Sequence, residues 1–207
     1  MKKPSNRLFI FLGILIPIIF WSSTLIAGIV HENYNHFQNT ISELGAIGAK
    51  SENLMTFSTW VCTFLSVLFL VGLFVACKEL KLKIFPLIGI LGFSIMFGWA
   101  ATFHSGNPMH SKSGLTLLLL FAGPLLSIIF WKANNLRSIR RYSLVSIILM
   151  LFILLRVVAP ESIKINYTGL IQRFVHLGWS IWFVGLSLNF LKLLKQNQTK
   201  AVGYHAV

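Results

Sequence analysis

Four of the six histidines and all five glutamates of this 207-residue chain fall in short stretches between long apolar runs, and there is no aspartate. One of these stretches, Tyr34-Asn35-His36-Phe37-Gln38-Asn39-Thr40-Ile41-Ser42-Glu43-Leu44-Gly45-Ala46, is too apolar for a free linker and reads as a re-entrant or interfacial segment. Backbone at membrane depth needs internal hydrogen-bond partners. Ser42 at a short helix start, with Glu43 in its first turn, would supply some of them. A second stretch, Gly169-Leu170-Ile171-Gln172-Arg173-Phe174-Val175-His176, places Arg173 about one turn into an apolar helix with His176 at i+3 on the same face. An arginine at that depth faces the bundle interior and has a partner, for which Glu43 is the natural candidate.

Two chemistries fit these residues. In the first, Arg173 and Arg156, with Lys164 nearby, hold a lipid headgroup or small anion, because guanidinium forks match phosphate and carboxylate. Glu43 would orient Arg173, while Tyr34, Ser42, Gln172 and His176 would provide further hydrogen bonds. Arg156 near a helix end is also placed to snorkel to the interface. In the second, His104, His110, His176 and Glu43 supply three nitrogens and a carboxylate to zinc, which would activate water in a lipid hydrolase, with Ser42 aiding an oxyanion. No pair has H-x-x-x-H spacing, and His104-Ser105-Gly106-Asn107-Pro108-Met109-His110 is a turn-rich loop. Phosphate-binding glycine loops, G-x-S-x-G and H-E-x-x-H are absent from the sequence.

The elements that must position these side chains are membrane helices. The chain is 56% hydrophobic and 11% charged, with a mean hydropathy of +0.76. Globular domains carry about 25% charged residues, so there is too little charge here to cover a globule. Six apolar segments, at about 8–30, 54–77, 84–103, 113–131, 143–159 and 169–191, each approach the ~20 residues needed to cross the hydrocarbon core. They predict an all-α, polytopic membrane helical bundle of about six transmembrane helices, forming one membrane domain over residues 1–207. The segment after Met1-Lys2-Lys3-Pro4 resembles a secretory signal, but it is long enough to serve as an uncleaved first span.

The net charge of +13 is distributed as the positive-inside rule requires. With the amino terminus inside, the inner segments hold Lys2, Lys3, Arg7, Lys78, Lys81, Lys83, Lys132, Arg137, Arg140, Arg141, Lys192, Lys195 and Lys200, and only Glu79 among the acids. Both termini are therefore expected in the cytoplasm, with His31, His36, His104, His110, His176 and Glu32, Glu43, Glu52 and Glu161 on the opposite face. Basic runs between apolar stretches do not form a nucleic-acid groove. Membrane lipids are the expected partners, and nucleic acid is not. A transporter would want mid-membrane charges or paired broken helices, which these spans lack; a structural membrane subunit is a further alternative. Cys62 and Cys77, in one helix roughly 22 Å apart, are beyond disulfide reach. Gly89, Gly92, Gly98, Gly178 and Gly185 would permit close helix approach, and Pro17 and Pro124 would kink the first and fourth spans. Asn166-Tyr167-Thr168 matches a glycosylation sequon.

The motifs Tyr34-x-His36, Ile41-Ser42-Glu43-Leu44-Gly45-Ala46, His110 at the fourth span, and Gly169-Leu170-x-Gln172-Arg173 together resemble domain-of-unknown-function family 998. The resemblance implies a small integral membrane protein of six spans, mostly prokaryotic and hence in a plasma (inner) membrane, with no assigned reaction. One departure stands out: an acidic residue expected shortly before the histidine at the end of the third span is missing from Phe103-His104-Ser105-Gly106-Asn107-Pro108. A fainter similarity links Ser42, His104 and His176 to the seven-span alkaline-ceramidase and progestin-receptor-like superfamily. Its members use a serine, an aspartate and three histidines at zinc; the aspartate and the paired histidine motif are not found here.

Overall fold

A computed structural model describes residues 5–204 of the chain. Lys2 and Lys3, counted above among the inner charges, lie outside the described residues. Helices α1 (Ser5–Val30), α3 (Glu52–Glu79), α4 (Ile88–Thr102), α5 (Leu117–Phe130), α6 (Arg137–Met150) and α8 (Glu161–Tyr204) form the bundle; α2 (Ile41–Leu44) and α7 (Leu155–Val158) are single turns between them. With flanking 3-10 turns, six segments are long and apolar enough to cross a membrane, the shortest being Phe85–Thr102. Its 18 residues, at about 1.5 Å each, span roughly 27 Å, close to the thickness of the hydrocarbon core.

The six long helices pack as a closed ring in chain order, α1–α3–α4–α5–α6–α8, with α8 returning against α1. Short connections between antiparallel neighbours favour this order. Both ends of the described chain reach the same end of the ring, where Arg7 Nη2 donates to Gln198 Oε1 at 2.5 Å. The opposite end, called distal below, carries the 31–51 and 103–116 connections.

Close approach depends on glycine. A Cβ on Gly89 would lie 2.6 Å from the Cα of Gly123, and the Trp182 ring covers both. Gly92, Gly178 and Gly185 are equally tight, whereas a Cβ on Gly98 would meet only Thr63 Cγ2 at an ordinary 3.4 Å. Inside the ring Phe93 stacks on Phe97 (4.0 Å between centroids), and Trp179 and Phe183 pack edge-on and tilted beside them. Several buried hydroxyls are satisfied locally: Thr24, Ser94 and Ser127 donate to the carbonyl four residues back, and Ser66 and Ser94 also bond each other at 2.7 Å. Large apolar side chains such as Phe57, Phe64, Leu118 and Val157 face outward, as lipid requires.

Three details differ from the sequence expectations. Helix α6 begins at Arg137, ahead of the span start expected near residue 143, and the 160–168 connection is helical from Glu161. The charges there mark the membrane boundary without ending the helix. The helices run through Pro17 and Pro124. The break falls instead at Tyr167, whose φ of −131° and ψ of 15° interrupt α8.

Candidate functional site

The break in α8 receives the 34–41 segment. Leu170 N–H donates across to Phe37 O at 2.9 Å. Gly169 lets this backbone come close: a Cβ there would collide with Asn39 O and lie 2.9 Å from Phe37 O. Arg173, one turn further on, clamps the same segment. Its Nη1 donates to Asn39 O and Gly169 O, both at 3.0 Å, and its Nη2 to Tyr34 OH and His36 Nδ1, both at 2.8 Å. Tyr34 OH in turn donates to Thr40 O at 2.8 Å. Gln172 completes the dock: its Oε1 accepts from Ile41 N–H at 2.6 Å, capping α2, and its Nε2 donates to Ser42 Oγ at 3.2 Å.

Glu43 is not the partner of Arg173. Its Oε1 accepts from the Thr40 backbone N–H (3.0 Å) and hydroxyl (2.8 Å), and its Oε2 from Asn39 Nδ2 (2.7 Å). This is one half of a capping box with Thr40, not Ser42, at the N-cap of α2. The titrations follow from these contacts. Burial works to raise the Glu43 pKa, but the Thr40 and Asn39 hydrogen bonds and nearby His31 outweigh it and hold the carboxyl below its usual value. Burial lowers the His36 pKa and the Arg173 charge lowers it further, which suits a ring whose Nδ1 accepts from a guanidinium. Burial raises the Tyr34 pKa against the opposing hydrogen bond and charge of Arg173.

Beneath this interlock lies a partly open cavity of about 140 Å³ at the distal end. Ser42, Gln172, His104, His110 and His176 contribute polar groups, and Phe20, Met96 and Phe97 form its membrane-side wall. The missing acid before His104 is supplied from another helix. Glu52, at the start of α3, accepts from His104 Nδ1 at 2.7 Å, and its other oxygen accepts from Gly48 N–H at 2.7 Å. The left-handed φ of +82° at Gly48 favours glycine at this turn. The other His104 nitrogen lies 3.0 Å from Ala101 O and 3.2 Å from Thr56 Oγ1. A backbone bond from Ile47 N–H to Ser105 O ties the two distal connections together over the cavity.

The residues singled out from sequence thus divide into three groups. Tyr34, Glu43 and Arg173 hold the segment in place; Ser42, Gln172, His104, His110 and His176 line the cavity; Arg156 does neither and is exposed on α7. Lys164 pairs with Glu161 at 3.4 Å. An anion site built on Arg173 and Arg156 is therefore not assembled, because both terminal nitrogens of the first are committed to backbone, hydroxyl and ring acceptors and the second is not among the residues that line the cavity. The zinc set does not assemble either. Among the described residues no three His, Cys, Asp or Glu side chains are grouped to hold a metal ion. Glu43 is committed to its cap, and both His104 nitrogens are engaged. Sequence reasoning missed Glu52, Thr56 and Asn39 as site residues. The position of Glu52 at the first turn of a span, level with the histidines, was the one available signal.

A family model described as "Protein of unknown function (DUF998)" matches residues 14–189. Comparison with curated proteins and with solved structures gives no match.

Proposed function

The chain belongs to the DUF998 family, and taking a six-helix membrane bundle as the premise, we propose that it binds the polar head of a membrane amphiphile in the distal cavity. The observation that carries this reading is the composition of the cavity wall: imidazoles, hydroxyls and a carboxamide at the distal end, aromatic and thioether side chains toward the membrane. Ligand sites combine a mostly apolar lining with a few placed polar groups, and an amphiphile has the same division. Tyr34, Glu43 and Arg173 act as positioning residues that fix Ser42 and Gln172 at the rim.

In this reading both termini lie in the cytoplasm of a prokaryotic cell and the cavity opens on the far side of the plasma membrane, as the basic inner connections support. The test is the lipid that co-purifies. Wild type is expected to retain a defined lipid through detergent exchange, and Ala100→Phe, which fills the cavity from α4, is expected to lose it while remaining folded. Equal lipid retention by the two proteins, measured by mass spectrometry of extracts, would refute cavity binding.

A further inference from the structure

Resting on that reading, we infer that the cavity selects a neutral amphiphile whose head is an alcohol, and that it discriminates against phosphate heads. The inference comes from the protons on two histidines, assigned here from their hydrogen-bond partners. The indole N–H of Trp179 can only donate, and it reaches His176 Nδ1 at 2.9 Å. That nitrogen must carry a lone pair, so the neutral His176 ring bears its proton on Nε2. A backbone carbonyl can only accept, and Phe103 O lies 2.6 Å from His110 Nδ1. That nitrogen must carry the proton, so in the neutral His110 ring Nε2 is the acceptor. Both rings line the cavity, and neither Nε2 makes a hydrogen bond among the described residues. Of the imidazole nitrogens, the site therefore leaves one donor and one acceptor free, beside the hydroxyls of Ser42, Ser105 and Ser113.

A hydroxyl group, which both donates and accepts, satisfies such a pair. A phosphate only accepts and would leave the His110 nitrogen without a donor. The charges agree with this. No lysine or arginine lines the cavity, the terminal nitrogens of Arg173 are turned to the docked segment and Gly169 O, and the Glu52 carboxylate holds His104 in the wall. Desolvating a phosphate there would go uncompensated, whereas a polar hydroxyl that keeps both its hydrogen bonds enters at little loss.

The experiment is a competition in phosphatidylcholine nanodiscs between two photoactivatable probes with the same acyl chains, a diacylglycerol and a phosphatidic acid. Cross-links to the full chain are read by mass spectrometry. Wild type is expected to favour the diacylglycerol by about tenfold, the consequence of one buried group left unpaired by the phosphate. His110→Phe, which removes the acceptor, should lower diacylglycerol capture by about the same factor. Ala100→Phe should abolish it, with Ser113→Trp as a second block should the first variant misfold. Capture of the phosphatidic acid equally or better, still abolished by the blocking variants, would overturn the alcohol assignment and leave cavity binding standing. Capture of both probes unaffected by either block would overturn the cavity reading and the inference with it.

Discussion

Arg173 has the surroundings of a ligand-binding arginine and works as a fastener. Its two terminal nitrogens each serve two acceptors drawn from four different residues, a pattern that the planar fork of arginine can satisfy and the single ammonium of lysine cannot. Arg173→Ala is expected to lower unfolding stability by roughly 2–3 kcal/mol and expose the 34–44 segment to protease, with Arg173→Lys recovering little of either. Thermal unfolding in detergent and timed proteolysis would show this, and an unchanged cleavage rate would contradict the clamp. His36 adds a pH dependence. Its folded pKa lies below its ordinary value of 6.5, so the unfolded chain binds the additional proton first; the stability it contributes is full above about pH 6.5 and falls as pH drops below it. Between pH 7.5 and 5.5 the unfolding temperature should decline, and His36→Asn should decline less steeply. The depth of Arg173 was legible from its position in an apolar run, but its partners were not. Two of the four are backbone carbonyls, which no residue letter records, so the nearest opposite charge, Glu43, was the natural but mistaken choice.

Among the elements, α8 carries the decisive irregularity. Beside its break at Tyr167 the Leu170 N–H meets the incoming segment, and Gly169 leaves room for that segment to arrive. Gly169→Ala should cost about 1–3 kcal/mol because the added methyl would displace backbone, while Gly98→Ala, which meets only an ordinary contact, should stay within about 0.5 kcal/mol of wild type. Equal unfolding temperatures for the two variants would mean that the segment does not dock as described. The six spans were legible because twenty apolar residues in a row have few other uses. The turn at α2 was legible as a turn, yet its cap was assigned two positions too late, to Ser42 instead of Thr40. Both residues satisfy the same compositional rule, and the choice was made by Gln172 at the far end of the chain. The motif residues Tyr34, His36, Ser42, Gln172 and Arg173 were singled out in separate stretches; the fold shows them to be the two halves of one joint.

For the whole molecule, the ring places the two buried cysteines inside and the two polar ends apart. That makes the orientation straightforward to measure. In intact cells a membrane-impermeant maleimide should label Lys50→Cys at the distal end, and should label Lys195→Cys only after permeabilisation; the reverse pattern would invert the proposed orientation. The wild-type background should be low because Cys62 and Cys77 are buried. The class of fold followed from composition alone. Which ends of which spans converge on the cavity did not, since Glu52 and His104 are brought together only by the packing of α3 on α4.

The joint between the 34–41 segment and α8 also sets a timetable for synthesis. Ile41 and the Gln172 that caps it are separated by 131 residues. At about 5–20 residues per second, roughly 7–26 s pass between translation of the first and arrival of the second. Throughout that interval the Ile41 N–H and the Phe37 and Asn39 carbonyls are without their α8 partners, and four further spans are made before those partners exist. A chain halted before residue 172 would therefore display an undocked segment, a ready mark by which a membrane protease could tell unfinished copies from finished ones.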